Sequence, residues 1–264
     1  MIWDHINPID VEQLKVAVKS AQPFPFFSID NFLNVAFAEQ VHACFPSSNE
    51  IEAVGKSFNA VNERGKTQVT DVRHFPPAIR KLNSILAAPE WLELLSNIMS
   101  IPKLLPDDAL AGGGIHQTGP RGHLDVHVDF NYLEQKNLHR RLNILIYFNK
   151  DWREEWGGNI ELWDKTVKQC HHSFSPIFNR CVVFATSDIS YHGVTRVETP
   201  IGVTRNSFAA YYYTREAPPE WAGEARSTVF KARPNEQIKG RILMPLEYLK
   251  RNWRSLLRNC IGRN

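Results

Sequence analysis

Two His-x-Asp pairs follow one another in the segment 122–130. They are His123 with Asp125 and His127 with Asp129, and single apolar residues separate the four polar ones. In a β-strand, this period of two places all four polar side chains on one face. Imidazoles and carboxylates in this order are typical metal ligands. Same-face neighbours lie about 7 Å apart and residues four apart about 13 Å apart, so we expect only one of the pairs to bind an ion.

A metal site built on one pair needs a second, distant histidine. Two imidazoles and one carboxylate bind Fe(II) on one face of an octahedron and leave the other face open. The candidates are His139, His171, His172 and His192. We select His192, because it follows an apolar strand-like segment and a turn, and because it lies 65 residues after His127, which gives the chain room to return. With ten histidines in the chain, a chance His-x-Asp triplet on an exposed strand is the alternative.

Arg205 and Ser207 begin another strand-like segment, thirteen residues after His192. The segment continues with aromatic and small residues, which predicts a strand with one side facing inward. An arginine on an inward face must be paired, and its planar guanidinium fits a carboxylate. Arg205 is therefore either a ligand-binding side chain or part of a structural ion pair.

The composition is typical of a folded globular protein. Of the 264 residues, 43% are hydrophobic and 22% are charged, and the length suits one well-packed domain. The sequence has neither a run of eighteen apolar residues nor, at its start, the basic and apolar regions of a signal peptide. Four scattered cysteines without a Cys-x-x-Cys pair predict neither a zinc knuckle nor a disulfide framework. We therefore expect a soluble cytoplasmic protein.

The positive charge of the chain is concentrated at its end. Residues 226–264 contain ten Lys or Arg and two Glu, a local net charge of +8, so the preceding 225 residues carry −5 of the total of +3. A basic segment of this kind can favour an anionic partner such as nucleic acid, an anionic glycan or a membrane surface. A solvated basic face is the alternative. The same region predicts an amphipathic helix from Pro245 to about Cys260.

Helical and strand-like segments divide the chain near Pro106. The helical patterns cover about 9–21, 35–45, 78–88 and 89–100. The polar stretch 47–73 is predicted to be loops with a short strand. The β-rich segments are 110–117, 122–130, 141–149, 159–163, 167–174, 180–186, 192–197 and 205–214. Strands at this spacing without intervening helices predict a sandwich or barrel.

We expect the N-terminal helices to back the outer face of this barrel and to pack on the apolar side of the segment 122–130, with its polar side facing inward. The predicted organisation is one structural domain in three parts. These are an N-terminal helical support region (1–105), a β-sheet core (106–216) and a basic C-terminal extension with a helix (217–264).

Five features in order resemble the Fe(II)- and 2-oxoglutarate-dependent oxygenases, and most closely their prolyl 4-hydroxylase-like branch. The features are His127-Val-Asp129, Arg140-Arg-Leu-Asn-Ile-Leu-Ile-Tyr-Phe-Asn149, Trp156-Gly-Gly-Asn-Ile-Glu-Leu-Trp163, His192 and Arg205-x-Ser207. The resemblance covers about residues 110–216. The spacing between His192 and Arg205 is a few residues longer than in many members, and the chain after Glu216 has no counterpart.

The resemblance implies an α+β fold, a double-stranded β-helix (jelly-roll) barrel backed by N-terminal helices. It also favours His127 and Asp129 over the preceding pair, because in this branch the His-x-Asp motif is followed closely by a loop and an Arg-rich strand. The implied metal ligands are then His127, Asp129 and His192.

Four further residues follow from the same resemblance. Tyr147 and Arg205 would hold the distal carboxylate of 2-oxoglutarate, with Ser207 as a lesser candidate. Asn143 is two same-face steps from Tyr147 and would touch the cosubstrate, or else be a satisfied amide of the core.

The implied activity is hydroxylation of an unactivated carbon, with release of succinate and CO2. Fe(II) is the implied cofactor, 2-oxoglutarate and O2 are the cosubstrates, and ascorbate is a further candidate. The substrate class is peptidyl or small-molecule, with a prolyl residue as the natural candidate. Asp129 favours hydroxylation, since halogenating relatives lack this carboxylate. The alternative function is a metal-binding jelly-roll module that uses its basic tail on an anionic partner.

Overall fold

The computed structural model of the protein describes residues 1–246. Its α-helices are α1 (Val11–Ser20), α2 (Val35–Ala43), α3 (Ser48–Val54), α4 (Pro77–Leu86) and α5 (Pro89–Met99). Its first strands are β1 (Phe26–Ile29), β2 (Lys56–Asn59), β3 (Glu63–Val69), β4 (Leu105–Pro106), β5 (Gly114–Val128) and β6 (Tyr132–Leu133). The later strands are β7 (Leu138–Tyr147), β8 (Ile160–Trp163), β9 (Cys170–Phe174), β10 (Cys181–Ala185), β11 (Tyr191–Val194), β12 (Arg205–Thr214) and β13 (Val229–Phe230).

The strands form a curled antiparallel sheet in the order β1-β10-β7-β12-β5-β11-β8-β9. Strand β5 is long enough to pair with β12 through its first residues and with β11 through its last ones. On its other side it pairs with β3 and then with β13. The predicted α+β jelly-roll fold with helical backing is confirmed.

The helices pack on the outer face of the sheet, as expected. Helices α4 and α5 each begin with a proline, whose missing N–H group is no loss in a first turn. The buried side of α5 includes Trp91, which donates a hydrogen bond from its indole nitrogen to the hydroxyl of Tyr212 at 2.8 Å. The main hydrophobic core lies between these helices and the outward residues of β7, β10 and β12.

The N-terminal region contributes strands as well as helices. Strand β1 pairs with β10, and the β2–β3 hairpin adds to β5. The stretch 47–73, predicted to be loops with a short strand, contains α3 and this hairpin. The division of the chain at 105 and 216 stays a prediction.

Side-chain alternation along β7 separates the core from the interior of the barrel. Leu142, Ile144 and Ile146 belong to the core beneath the helices. Tyr147 belongs to a smaller apolar cluster inside the barrel, and Asn143 lines its cavity. Because successive residues of a strand face opposite sides, one strand supplies both the core and the site.

The expectation that helices cover the apolar side of 122–130 is wrong. Val126 and Val128 instead pack with Trp163, Val167 and Tyr191 in a separate cluster. The helices pack on residues of β7, β10 and β12, whereas this part of β5 pairs with β11, where the register also shifts. His192 lies opposite His127, but Val194 lies opposite Leu124, so three steps on β5 match two on β11. A bulge of this kind breaks the strict alternation on which the expectation depended.

The C-terminal residues 226–246 return to the barrel. Strand β13 pairs with β5 at His127 and Val128, and helical structure follows from 237 to 246. Apart from its first two residues, the predicted amphipathic helix from Pro245 to about Cys260 lies outside the described residues. Along residues 1–246, no helix combines the length and the apolar character needed to cross a membrane.

Candidate metal centre

The two strands β5 and β11 bring three predicted ligands together. His127 and His192 lie directly opposite each other in the antiparallel ladder, and Asp129 follows the end of β5. The Nε2 atoms of His127 and His192 are each 3.5 Å from a carboxylate oxygen of Asp129. One ligand atom from each residue lies within 4.8 Å of the others. Two imidazole nitrogens and one carboxylate oxygen form a donor set that suits Fe(II).

Backbone carbonyls orient both imidazoles. The Nδ1 atom of His127 is 2.8 Å from the carbonyl oxygen of Asp125, and that of His192 is 2.9 Å from the carbonyl oxygen of Ser190. A carbonyl can only accept, so each Nδ1 carries the proton and each Nε2 offers its lone pair to the centre. Burial lowers the pKa of His192 to about 3, which keeps this ring neutral. Both rings are thus prepared for metal binding.

A buried arginine and an asparagine hold the carboxylate. Arg140 approaches Asp129 Oδ2 with Nη2 at 3.0 Å, and Asn143 donates to the same oxygen at 2.8 Å. Burial disfavours the ionised form, but the surrounding groups, of which Arg140 contributes most, together outweigh it and hold the pKa of Asp129 well below its usual range. Arg140 also donates to the side-chain oxygen of Asn143. The amide of Asn143, predicted to touch the cosubstrate, therefore bonds protein groups through both its nitrogen and its oxygen.

Arg205 begins β12 inside the barrel. Its Nε donates to the carbonyl oxygen of Gly158 at 2.6 Å, and its Nη1 lies 3.4 Å from the hydroxyl of Ser207. Gly158 has a φ of +69°, and a Cβ there would come within 3.0 Å of Arg205 Cδ, so the Gly-Gly turn permits this close approach.

Two buried polar groups, one on Arg205 and one on Tyr147, lack hydrogen-bond partners among the described residues. Within the described part of the chain, neither Arg205 Nη2 nor the Tyr147 hydroxyl forms a hydrogen bond. Tyr147 lies opposite Ser207 in the paired strand, and the guanidinium carbon of Arg205 is 4.9 Å from the centre of the Tyr147 ring. Burial raises the pKa of Tyr147 to about 12, so the phenol keeps its proton. An unpartnered buried donor is costly, and a ligand carboxylate would satisfy both groups.

One cavity of about 850 Å³ lies beside the candidate ligands. Its wall includes the three candidate ligands together with Arg205, Ser207 and Asn143. The wall also includes the apolar or aromatic side chains of Phe58, Leu124, Phe130, Tyr211 and Phe230, and charged side chains such as Lys56 and Glu63. The cavity thus combines the candidate ligands and Arg205 with apolar and charged surfaces.

The preceding pair has different partners. Asp125 is fully buried and accepts from Lys239 Nζ at 2.5 Å, with Arg233 Nη1 at 3.8 Å. Arg233 also pairs with Glu161 at 2.8 Å. His123 approaches the carbonyl oxygen of Val61 at 3.2 Å. These groups fasten the C-terminal segment to β5 and β8.

The basic segment is largely engaged where it is described. Arg226 pairs with Asp188 at 2.7 Å, and Lys231 donates to the carbonyl oxygen of Lys165. The ring of Phe230 lies 5.3 Å from that of His127. Residues 226–240 therefore cover one side of the candidate centre, a role that the charge count did not predict.

The other candidate histidines lie elsewhere. His139 on β7 packs against Tyr132 and Trp221, and His172 on β9 packs against Phe26. His171 is exposed on the same strand, β9. Among residues 1–246, only His127, Asp129 and His192 form a cluster of potential ligands.

Comparisons with known proteins agree with this geometry. A model of the 2OG-Fe(II) oxygenase superfamily matches residues 113–213. No protein of the curated sequence set matches the chain.

Three solved structures share the fold. A prolyl hydroxylase from Trichoplax adhaerens, in complex with a hypoxia inducible factor oxygen degradation domain peptide fragment, has 18% identity and a TM-score of 0.56 over 77% of this chain and 88% of its own. A Pseudomonas putida prolyl-4-hydroxylase has 17% identity and a TM-score of 0.53 over 77% of this chain and 100% of its own. A prolyl 4-hydroxylase from Phytophthora capsici has 19% identity and a TM-score of 0.52 over 93% of this chain and 77% of its own.

Proposed function

From the premise that this chain has a 2OG-Fe(II) oxygenase core of the prolyl 4-hydroxylase-like kind, we propose that it is an Fe(II)- and 2-oxoglutarate-dependent dioxygenase that hydroxylates an unactivated carbon. His127, Asp129 and His192 are the proposed metal ligands. Arg205, Tyr147 and Ser207 are the proposed contacts of the distal carboxylate of 2-oxoglutarate.

The observation that carries this proposal is the pair of unpartnered groups beside the candidate ligands. Arg205 Nη2 and the Tyr147 hydroxyl are buried donors without an acceptor among the described residues. A structural ion pair, the alternative for Arg205, would supply a carboxylate there, and the described residues supply only the Gly158 carbonyl and the Ser207 hydroxyl. A dicarboxylate that reaches from this end of the cavity to the metal ligands satisfies the donors.

When bound together, Fe(II) and 2-oxoglutarate activate O2 so that one oxygen atom enters a substrate C–H bond and the other leaves in succinate. The residues of the chain prepare for this chemistry in three ways. The two imidazoles present unprotonated Nε2 atoms, the carboxylate of Asp129 stays ionised beside Arg140, and Arg205 provides a fixed positive charge at the far end of the cosubstrate site.

A prolyl residue of a peptide is the proposed substrate. The solved structures that share the fold are prolyl hydroxylases, and one of them contains a peptide fragment. In this chain, the cavity wall includes Phe58, Leu124 and Phe230, whose apolar surfaces can contact a pyrrolidine ring. The cavity volume of about 850 Å³ leaves space beyond that needed for a small dicarboxylate.

The test is an aerobic assay with Fe(II) and 2-oxoglutarate against a panel of proline-containing peptides, free proline and other small molecules. We expect succinate to form in step with the gain of one oxygen atom by a substrate, detected by mass spectrometry. Ascorbate is a proposed further cofactor, so parallel assays omit it. Absence of succinate from every reaction, with iron bound, would contradict the oxygenase proposal. Oxygen gain on a molecule without proline would support the oxygenase activity but contradict the proposed prolyl substrate.

The cytoplasm remains the proposed location, on the basis of the scattered cysteines. A binding module that uses its basic tail on an anionic partner has less support. Arg226, Lys231, Arg233 and Lys239 already contact acidic or carbonyl oxygens of the chain itself.

A further inference from the structure

We propose that Arg140 and Asn143 are positioning residues that fix the orientation of the Asp129 carboxylate, so that Oδ2 is held by the protein and Oδ1 is left for the metal ion. The inference rests on the proposed metal centre and concerns residues to which the sequence motifs gave no such role. It depends on the shape of β7, on the surroundings of the Arg140 side chain and on the bonds to Asp129.

An irregularity in β7 turns Arg140 into the cavity. Tyr212 of β12 lies opposite Leu142, and the next residue, Tyr213, lies opposite Arg140, so one step on β12 corresponds to two steps on β7. In a regular strand, Arg140 and Asn143 would face opposite sides because they are three residues apart. The extra residue, Arg141, lets the side chains of Arg140 and Asn143 face the same side. Bulges commonly occur next to active sites, where they redirect a side chain.

The guanidinium of Arg140 is then held in one place. Its central carbon lies 3.6 Å from the centre of the Tyr211 ring and 4.6 Å from that of Phe130, and only 1% of the side chain is exposed. Aromatic faces on a planar cation restrict its movement and reduce its contact with water. Its Nε and Nη2 donate to Asn143 Oδ1 at 3.1 and 2.8 Å. The position of Arg140 is therefore set before any ligand binds.

These bonds distinguish the two oxygens of Asp129. Oδ2 lies 3.0 Å from Arg140 Nη2 and accepts from Asn143 Nδ2 at 2.8 Å. Within residues 1–246, Oδ1 accepts no hydrogen bond; it lies 3.5 Å from His127 Nε2, and Oδ2 lies at the same distance from His192 Nε2. A carboxylate held through one oxygen offers the other to an ion in a fixed direction. Outer partners of this kind commonly set ligand geometry and affinity.

A purely structural role for the Arg140–Asp129 pair predicts something different. If the pair only neutralises a buried charge, any residue that keeps the positive charge will preserve metal binding. If the planar fork and the amide orient the carboxylate, charge alone is insufficient. Arg140→Lys keeps the charge and loses the fork. Asn143→Ala removes a donor without changing the charge, and it serves as the second variant if Arg140→Lys does not fold.

The experiment is titration of the full chain with Co(II), an air-stable probe whose visible d–d bands report coordination number and geometry. For Arg140→Lys and Asn143→Ala, we expect the affinity for Co(II) to fall roughly 10- to 100-fold and the bands to change in position or intensity. Arg141→Lys is the matched control, because the neighbouring Arg141 donates to Thr214 instead. It should bind Co(II) with wild-type affinity and spectrum. Thermal unfolding of the metal-free variants checks that each is folded.

Wild-type affinity and spectra in both folded variants would overturn the positioning role and leave the metal centre intact. An equal loss of affinity in Arg141→Lys would also overturn it, because the effect would then belong to the strand as a whole. Absence of Co(II) binding by the wild-type protein would overturn the metal centre itself, so the two failures are distinguishable.

Discussion

The two His-x-Asp pairs of β5 have the same residue types and lie four residues apart, yet they contact different parts of the molecule. His127 and Asp129 meet His192 from the neighbouring strand at the cavity. Asp125 instead pairs with Lys239 and lies 3.8 Å from Arg233, both from the C-terminal segment. The same two residue types thus form a candidate metal site where a second histidine lies opposite them, and an ion pair where a lysine does.

The β-bulge between Leu124 and His127 separates the pairs. Without it, all four polar side chains would share one face, as the alternation predicts. With it, Leu124 as well as His123 lines the cavity, and Asp125 is directed to the C-terminal segment. The bulge lets one strand provide both a candidate metal site and an attachment point for residues 226–240.

The largest effects are expected from removing the candidate ligands. His127→Ala and His192→Ala should each abolish Fe(II) binding, because two of three ligands cannot hold the ion in competition with water. His123→Ala is the matched control from the other pair and should retain binding. Equilibrium dialysis with metal analysis measures all three. Equal losses in the three variants would mean that the two pairs act as one site.

Breaking the other pair should affect stability rather than metal binding. Asp125→Asn leaves Lys239 and Arg233 without a charge partner on β5, and we expect a loss of about 2–4 kcal/mol in the free energy of unfolding, since removing one member of a buried ion pair is costly. Denaturant unfolding measures it. Hydrogen exchange should show faster exchange in 226–240, where the amide of Lys231 donates to the carbonyl oxygen of Val126.

Asp188→Asn, which breaks the exposed pair with Arg226, is the control for Asp125→Asn and should cost less than about 1 kcal/mol. If amide hydrogen exchange in 226–240 does not change in Asp125→Asn, the Asp125–Lys239 ion pair does not attach this segment to β5.

Arg205→Met should weaken the binding of 2-oxoglutarate without changing the binding of the metal ion. Charge-assisted hydrogen bonds contribute about 1.5–3 kcal/mol each, so we expect the dissociation constant for 2-oxoglutarate to rise roughly 10- to 100-fold. Fe(II) binding and the exchange of 226–240 should not change. Calorimetric titration of 2-oxoglutarate into the Fe(II)-loaded protein under anaerobic conditions measures the constant. An unchanged constant would place the distal carboxylate elsewhere in the cavity.

Tyr147→Phe should have the smallest effect. It removes one hydrogen bond from a neutral phenol to the carboxylate, worth about 1.5 kcal/mol at the lower end for a charged acceptor, so 2-oxoglutarate should bind roughly 10-fold more weakly. Burial raises the pKa of Tyr147 to about 12, which means that the phenol stays protonated and the difference from wild type should be equal at about pH 7 and about pH 9. Tyr132→Phe, near the surface, is the control. A difference that disappears at the higher pH would show that the phenol ionises.

Regular alternation explains why much of the site could be predicted from the sequence. Arg205 and Ser207 are two residues apart on β12, and Asn143 and Tyr147 are four apart on β7, so a period of two places each set on one face. The helical faces of α4 and α5 followed from the spacing of their apolar residues in the same way. Local patterns alone predicted a sandwich or barrel and these shared faces, whereas the jelly-roll fold and the roles of Asn143 and Tyr147 came from the family resemblance.

Bulges and distant ion pairs explain the residues that were missed. An extra residue in β7 directs Arg140 to Asp129, and no local pattern marks such an insertion. Lys239 and Asp125 are 114 residues apart, and a lysine has the same charge whether it is solvated or paired. The basic count at the chain end was correct, but its interpretation depended on acidic partners that only the folded chain brings near.

The most direct test of the proposed centre is anaerobic titration of the purified protein with Fe(II) and 2-oxoglutarate, followed by visible absorption. It needs no substrate. We expect the weak charge-transfer band of an iron-bound ketoacid in the wild-type protein and in His123→Ala, and no band in His127→Ala. Iron binding without this band in the wild-type protein would contradict the proposed cosubstrate site.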